Sequence, residues 1–169
     1  MNSLEITEED MRKWLIKNKK FEKKERTMKE YPKRGDIWTL DFGIGVGSEI
    51  RGIRPVVVIS SSLINERNHT LLVLPISKRS NSVPSEGAGF EYHLPITADL
   101  FEWGNDRVEG VIKTESIYTQ SRGRIGKRIG RLNDTGIEKM TELVSKVLHI
   151  KEPISSAEEH AKRLNKKTP

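Results

Sequence analysis

The chain has 169 residues, 34% of them hydrophobic and 32% charged, which suits one domain with a modest core and extra length at its ends. Its 0 cysteines exclude disulfides, a thiolate nucleophile and cysteine-held metals. No apolar stretch approaches the roughly 18 residues of a membrane span, while a net charge of +6 and a pI of about 9.5 lean toward an anionic partner.

The N-terminus is acidic and then basic, without the apolar centre of a signal peptide, so a cytoplasmic protein is expected. Residues 1–33 read as a charged helical extension. Thr7-Glu8-Glu9-Asp10 is a helix start, with acids at the positive end of the dipole, and Met11, Trp14, Leu15 and Asn18 follow on one face. From Arg12 to Arg34 there are eleven basic residues against three acidic ones, a surplus larger than the net charge of the whole chain. Two readings stand. The arm could contact RNA phosphates, or it is a solvated helix docked by Trp14 and Leu15.

A compact unit, 34–150, follows. In Gly35 to Phe42, Trp38, Leu40 and Phe42 alternate with Thr39 and Asp41, the period of a half-buried strand. Gly43, Gly45, Gly47 and Gly52 then make a loop almost bare of side chains, carrying Ser48, Glu49 and Arg51. Arg54-Pro55 leads from it into Val56 to Ile59, a β-branched run apolar on both faces and therefore a buried second strand. An arginine fork beside a glycine loop can grip a phosphate; an ordinary hairpin turn with a surface arginine explains the same pattern.

Ser60 to Asn68 is a polar connection, Thr70 to Ile76 a third strand, and Ser80 to Gly89 a Ser, Asn, Pro and Gly-rich loop. Phe90, Tyr92 and Leu94 alternate with Glu91 and His93 as a fourth strand. Ala98 to Trp103 is expected as a helical turn closed by Gly104-Asn105, with Gly110 to Ile117 a fifth strand and Arg124 to Leu132 a sixth. Thr135 and Glu138 have capping-box spacing, Asp134 is an alternative cap, and Ile137, Met140, Leu143, Val144, Val147 and Leu148 recur at helical spacing up to Pro153. The tail, 151–169, is polar and expected to be disordered. The fold class is β-rich α+β: a small barrel or curled sheet of about six strands, plugged by a C-terminal helix and preceded by a charged N-terminal one.

None of the four histidines, His69, His93, His149 and His160, has a partner at recognisable spacing, so all are read as structural or exposed. Arg122, Arg124, Lys127, Arg128 and Arg131 form a second basic cluster, an RNA surface or a charge-protected hairpin edge.

Arg34-Gly35-Asp36-Ile37-Trp38, Gly47-Ser48-Glu49, Arg54-Pro55-Val56-Val57-Val58-Ile59 and Leu74-Pro75-Ile76-Ser77 stand in the order and spacing of the MazF/PemK family, toxins of bacterial type II toxin–antitoxin pairs. The resemblance runs from about Lys33 to Leu148. It implies an SH3-like barrel, a homodimer, an antitoxin partner (with which such toxins bind DNA), and a sequence-specific endoribonuclease on single-stranded RNA that needs neither metal nor cofactor. The family's arginine matches Arg54 and its hydroxyl residue after the third strand matches Ser77. Ser48 matches a loop position, and Lys113 and Glu115 match a basic and an acidic one. Ile50-Arg51 replaces the more usual polar pair, Ser77 stands for threonine, and both ends of the chain lie outside the pattern.

The implied chemistry is attack by the RNA's own 2′-OH, leaving a 2′,3′-cyclic phosphate and a 5′-OH. Arg54 is expected to stabilise the phosphoryl charge and to act as an acid, since guanidinium is a poor base. Ser77 donates a further bond. Glu115 is the candidate base, with a structural ion pair to Lys113 or a loop arginine as the other reading. Ser48 and Glu49 orient the loop or touch RNA, and Arg51, Lys78, Arg79 and Lys113 line a phosphate track. Two other functions stay open: a non-catalytic toxin of this fold that binds a protein target such as gyrase, and a basic nucleic-acid-binding module without chemistry.

Overall fold

The computed structural model describes residues 6–78 and 92–150. Arg79, the expected loop from Ser80 to Gly89, Phe90 and Glu91 of the expected fourth strand, and 151–169 lie outside the described residues. Among those described, eight strands form one antiparallel sheet with three α-helices around it. The strands are β1 (Asp36–Asp41), β2 (Ile53–Val58), β3 (Thr70–Ser77), β4 (His93–Pro95), β5 (Phe101–Trp103), β6 (Val111–Lys113), β7 (Tyr118–Ser121) and β8 (Ile125–Leu132). The helices are α1 (Glu8–Thr27), α2 (Ser62–Arg67) and α3 (Asp134–Val147). The order β4-β6-β3-β2-β1-β8-β5 curls the sheet. β3 is its pivot: Val73 to Pro75 pair with β2 on one edge, and on the other Thr70 to Val73 pair with β7 and Ile76 and Ser77 with β6.

Because side chains alternate across a strand, each buried run feeds both faces of the sheet. Ile37, Val57, Leu74, Ile76, Leu94 and Ile112 point into the larger core with Leu100, Phe101 and Leu132. Trp38, Leu40, Phe42, Val56, Val58, Leu71, Val73 and Ile125 fill a second core on the opposite face. The larger core is closed by α3, whose Met140 is fully buried with Ile137, Leu143 and Val144 beside it. Truncating Met140 to alanine would cost about 2–5 kcal/mol. The cap of α3 is Asn133, whose side chain accepts from the Gly136 N–H at 2.9 Å, rather than Asp134 or Thr135.

α1 starts as expected, with a reciprocal capping box between Thr7 and Asp10. It docks by edges and charges, since no residue in it is fully buried. Arg124 stacks over the Trp14 ring at 4.9 Å and the Phe21 ring at 5.8 Å. Lys17 pairs with the buried Asp41, Lys24 donates to the Ile125 carbonyl and Glu25 accepts from the Ser121 hydroxyl. Gly43 and Gly123 make room for the docking: a Cβ would lie 2.0 Å from the Trp14 ring at the first and 2.2 Å from the Phe21 carbonyl oxygen at the second. Leu15, expected to help dock the helix, is 60% exposed.

Elsewhere the elements differ in detail. Ser62–Arg67 is helical within the expected polar connection, held by Asn65, which accepts from Ser60 Oγ and donates to the Pro32 carbonyl at 2.8 Å. Ala98–Leu100 is a single 3₁₀ turn, but Phe101–Trp103 is a strand on the edge of β8, because Phe101 buries its ring in the core there. The expected fifth strand stops at Lys113, and Tyr118–Ser121 forms a separate strand on β3. Arg122–Arg124 is a 3₁₀ turn, so β8 begins at Ile125.

Candidate functional site

Arg54 and Ser77 lie at the open ends of β2 and β3. The two strands pair as Val56↔Pro75, Val57↔Leu74 and Val58↔Val73. Carrying that register two residues further sets Arg54 opposite Ser77, where directly facing Cβ atoms lie about 4.5–5.5 Å apart. Both share the face of Val56 and Val73, away from α3. Arg54 is exposed and Ser77 half-buried.

They line one open groove of about 1350 Å³. The glycine loop forms one wall, with Ser48, Glu49 and Arg51; Ile53 and Pro55 belong to β2, and Lys78 follows Ser77. Within the loop Glu49 has a structural task. Its carboxylate accepts from the Val46 N–H at 2.8 Å, while its own N–H donates to the Val46 carbonyl at 3.0 Å. Arg51 is tied to the Gly47 carbonyl at 3.1 Å. Gly47 and Gly52 have φ of +57° and +67°, a conformation that L side chains rarely adopt, so the loop keeps its bare rim.

The opposite wall, Asn105 to Glu109, was not singled out from the sequence. It is pinned at both ends. Gly104 and Gly110 have positive φ and press on backbone: a Cβ would lie 2.4 Å from the Ile129 carbonyl oxygen at the first and 2.0 Å from that of Ser77 at the second. Val108 anchors the middle in the core, leaving Asn105, Asp106, Arg107 and Glu109 exposed along the groove. Glu109 reaches across to Lys78 at 3.3 Å. The turn residues Gly, Asn and Asp were the available signal, and they read only as a loop.

Lys113 and Glu115 do not line this groove. They belong to a neighbouring cluster one row along the same outward face. Ser77 faces Val111 on β6, and Lys113, two residues on, faces His93 on β4. Glu115 Oε1 lies 3.1 Å from His93 Nε2 and 3.4 Å from Lys113 Nζ. Burial pushes the Glu115 carboxyl up, but bonds from its own backbone and from His93, with the charges of His93 and Lys113, bring it below the ordinary range. The expected ion pair of Glu115 with Lys113 is present. His93, read as having no partner, has one across a separation of 22 residues that only strand pairing closes. His69 lies 4.0 Å from Glu25, and His149 is the one non-glycine described residue with positive φ.

The second basic cluster is mostly structural. Arg131 and Arg128 hold the buried Asp36 at 2.8 and 3.1 Å, Arg122 donates to the Glu25 carbonyl and stacks over Tyr31, and Arg124 anchors α1. Lys127 remains exposed.

Residues 33–148 match the family described as PemK-like, MazF-like toxin of type II toxin–antitoxin system. Among curated proteins, the chain is 32% identical over 110 residues to endoribonuclease EndoA of Bacillus subtilis, covering 65% of this chain and 88% of EndoA. It is 29% identical over 112 residues to endoribonuclease MazF of Staphylococcus saprophyticus, covering 66% and 87%. Among solved structures, MazF of Deinococcus radiodurans superposes with a TM-score of 0.57 at 19% identity, covering 72% of this chain and 99% of that one. A mycobacterial endoribonuclease solved with its cognate antitoxin gives 0.55 at 14% identity, covering 73% and 99%. At these identities the two structures speak for the fold alone.

Proposed function

The chain belongs to the PemK-like, MazF-like toxin family, and from that premise we propose that it is an endoribonuclease toxin that cuts single-stranded RNA in the groove between the glycine loop and residues 105–109. The observation that supports this reading is that one groove is lined by both Arg54 and Ser77, at the ends of the paired strands β2 and β3.

RNA brings its own nucleophile. The 2′-OH attacks the adjacent phosphorus, the bond to the 5′-oxygen breaks, and the products are a 2′,3′-cyclic phosphate and a 5′-OH. The protein has to hold the 2′-OH, phosphorus and leaving oxygen in line and to neutralise the charge growing on the phosphoryl oxygens. Arg54 spans two of those oxygens with its fork, and Ser77 donates to one of them or to the leaving oxygen. Arg54 is also the cation placed to share a proton with that oxygen. Ser48 and Arg51 steer the neighbouring phosphates along the loop, and Lys78 carries the backbone past β3. The Glu115–His93–Lys113 cluster is not part of the lining of that groove. In this scheme Glu115 receives the 2′-OH proton through water, with His93 and Lys113 keeping its carboxylate ionised.

The relatives' names support the activity, since both curated proteins are called endoribonucleases. The mycobacterial structure solved with a cognate antitoxin supports a partner of that kind here, which would silence the enzyme by covering the groove. The active unit is a homodimer working in the cytoplasm, where its RNA is found.

The test is incubation of purified protein with a long RNA in excess EDTA, followed by sequencing and chemical typing of the new ends. Cyclic phosphate and 5′-OH ends are expected. Arg54→Ala should lower kcat/KM by about 10²–10³, the loss seen on removing a single oxyanion donor, with secondary structure retained. Intact RNA with the wild-type protein, or full activity in Arg54→Ala, overturns the reading.

A further inference from the structure

α1 lies outside the region that matches the family, and its docking leaves one face with no internal task. Trp14, Lys17, Phe21, Lys24 and Glu25 are spent on the barrel. On the far side, Ile16 is 58% exposed. The positions three and four residues to either side of it, its neighbours on a helix surface, are Arg12, Lys13, Lys19 and Lys20, all exposed. Among the described residues only Lys13 of these four makes an ion pair, with Glu9 at 2.6 Å, and both partners are over two-thirds exposed. Such a pair is weak and yields to a phosphate. Of the other acids of the helix, Asp10 closes the cap and Glu25 binds Ser121; Glu8 and Glu22, four residues before Arg12 and three after Lys19, flank the patch.

Lys13 brings this face to the edge of the groove. Arg51 lines the groove, and it also lines a second cavity of about 430 Å³ between the glycine loop and α1, whose helix side is Asp10, Lys13, Trp14 and Lys17. One guanidinium therefore stands at the exit of the cleavage groove and at the foot of the helix.

We propose that α1 is an added RNA-binding surface: single-stranded RNA leaving the groove past Arg51 lays its phosphates on Arg12, Lys13, Lys19 and Lys20, with a base against Ile16. The inference rests on the RNA-cleaving reading of the groove. It gives the enzyme a preference for RNAs that extend beyond the cleavage site on one side. The recognised feature is the phosphodiester backbone, so the preference is for length rather than for sequence.

The test uses the full chain with Arg12, Lys13, Lys19 and Lys20 all changed to Gln, beside a charge-keeping variant (Arg12→Lys, Lys13→Arg, Lys19→Arg, Lys20→Arg). Circular dichroism establishes that both remain helical. Two RNAs with the same cleavage site are compared, one confined to the groove and one extended by about twenty nucleotides on either side. For the extended RNA, the Gln variant should raise KM about tenfold with kcat retained. The slope of log Kd against log salt should fall by about 2–3, near 0.7 for each phosphate contact removed. The charge-keeping variant should behave as wild type, and the short RNA reports on the groove itself. An unchanged KM and salt slope for the extended RNA overturns the proposal. So does a loss that is equal for both RNAs, or a loss of antitoxin binding with RNA binding intact. If the wild-type protein cuts neither RNA, the reading of the groove falls first and this inference with it.

Discussion

Burial pushes the Glu115 carboxyl toward its neutral form, and the bonds and charges of its own backbone, His93 and Lys113 outweigh that push, so it titrates below its ordinary value of 4.5. The folded protein therefore holds this proton less tightly than the unfolded chain does. The resulting stabilisation is complete above pH 4.5 and disappears as the pH falls through the folded-state value. Glu115→Gln keeps the shape and removes the charge. Denaturant titrations of wild type and variant should differ above pH 5 and converge as the pH falls through the folded-state value. A gap that persists in acid would mean that the side chain stabilises by packing and not by charge. The same substitution bears on catalysis. A carboxylate held by a histidine and a lysine is ionised at neutral pH but a weaker base than a free one, so it suits a proton relay better than direct abstraction.

At the level of elements, the loop 105–109 depends on two glycines more than on its own side chains. Gly110 has φ of +120°, and a Cβ there would lie 2.0 Å from the Ser77 carbonyl oxygen and 3.0 Å from Lys78 Cα. Gly110→Ala must move the end of β3, and Ser77 with it. The backbone cost is about 1–3 kcal/mol, which lowers the urea midpoint. The fall in kcat/KM should exceed what the change in folded fraction accounts for, because the hydroxyl no longer faces Arg54. Lost stability with full activity per folded molecule would separate the loop from the site. The sequence made some of this legible and hid the rest for physical reasons. Arg54 and Ser77 could be placed at strand ends because each abuts a run of β-branched or apolar residues. Residues 105–109 could not be placed in the site, since turn chemistry announces a loop without saying what it faces. Phe101–Trp103 is too short for its period to outweigh the helix-like residues before it. The Glu115–His93 pair needs the register of two three-residue strands, which no local pattern encodes.

Taken whole, the molecule is electrically divided. Residues 1–34 carry eleven basic and seven acidic residues, +4 of the chain's net +6, while the much longer remainder, 35–169, carries only +2. The described part of the groove reflects this near-balance: Arg51, Arg54, Lys78 and Arg107 face Glu49, Asp106 and Glu109. A polyanion approaching from a distance is therefore drawn by the N-terminal helix, and the groove acts only at contact range. Long-range attraction is screened over a Debye length of about 10 Å at 0.1 M salt, whereas contacts within a partly enclosed groove are screened less. The two stages should separate kinetically. In stopped-flow measurements with a fluorescent RNA and the full chain, the association rate should fall about tenfold between 0.05 M and 0.5 M salt. The dissociation rate of an RNA confined to the groove should change far less. An association rate indifferent to salt would mean that the charge of the helix creates no steering field, and that capture begins in the groove itself.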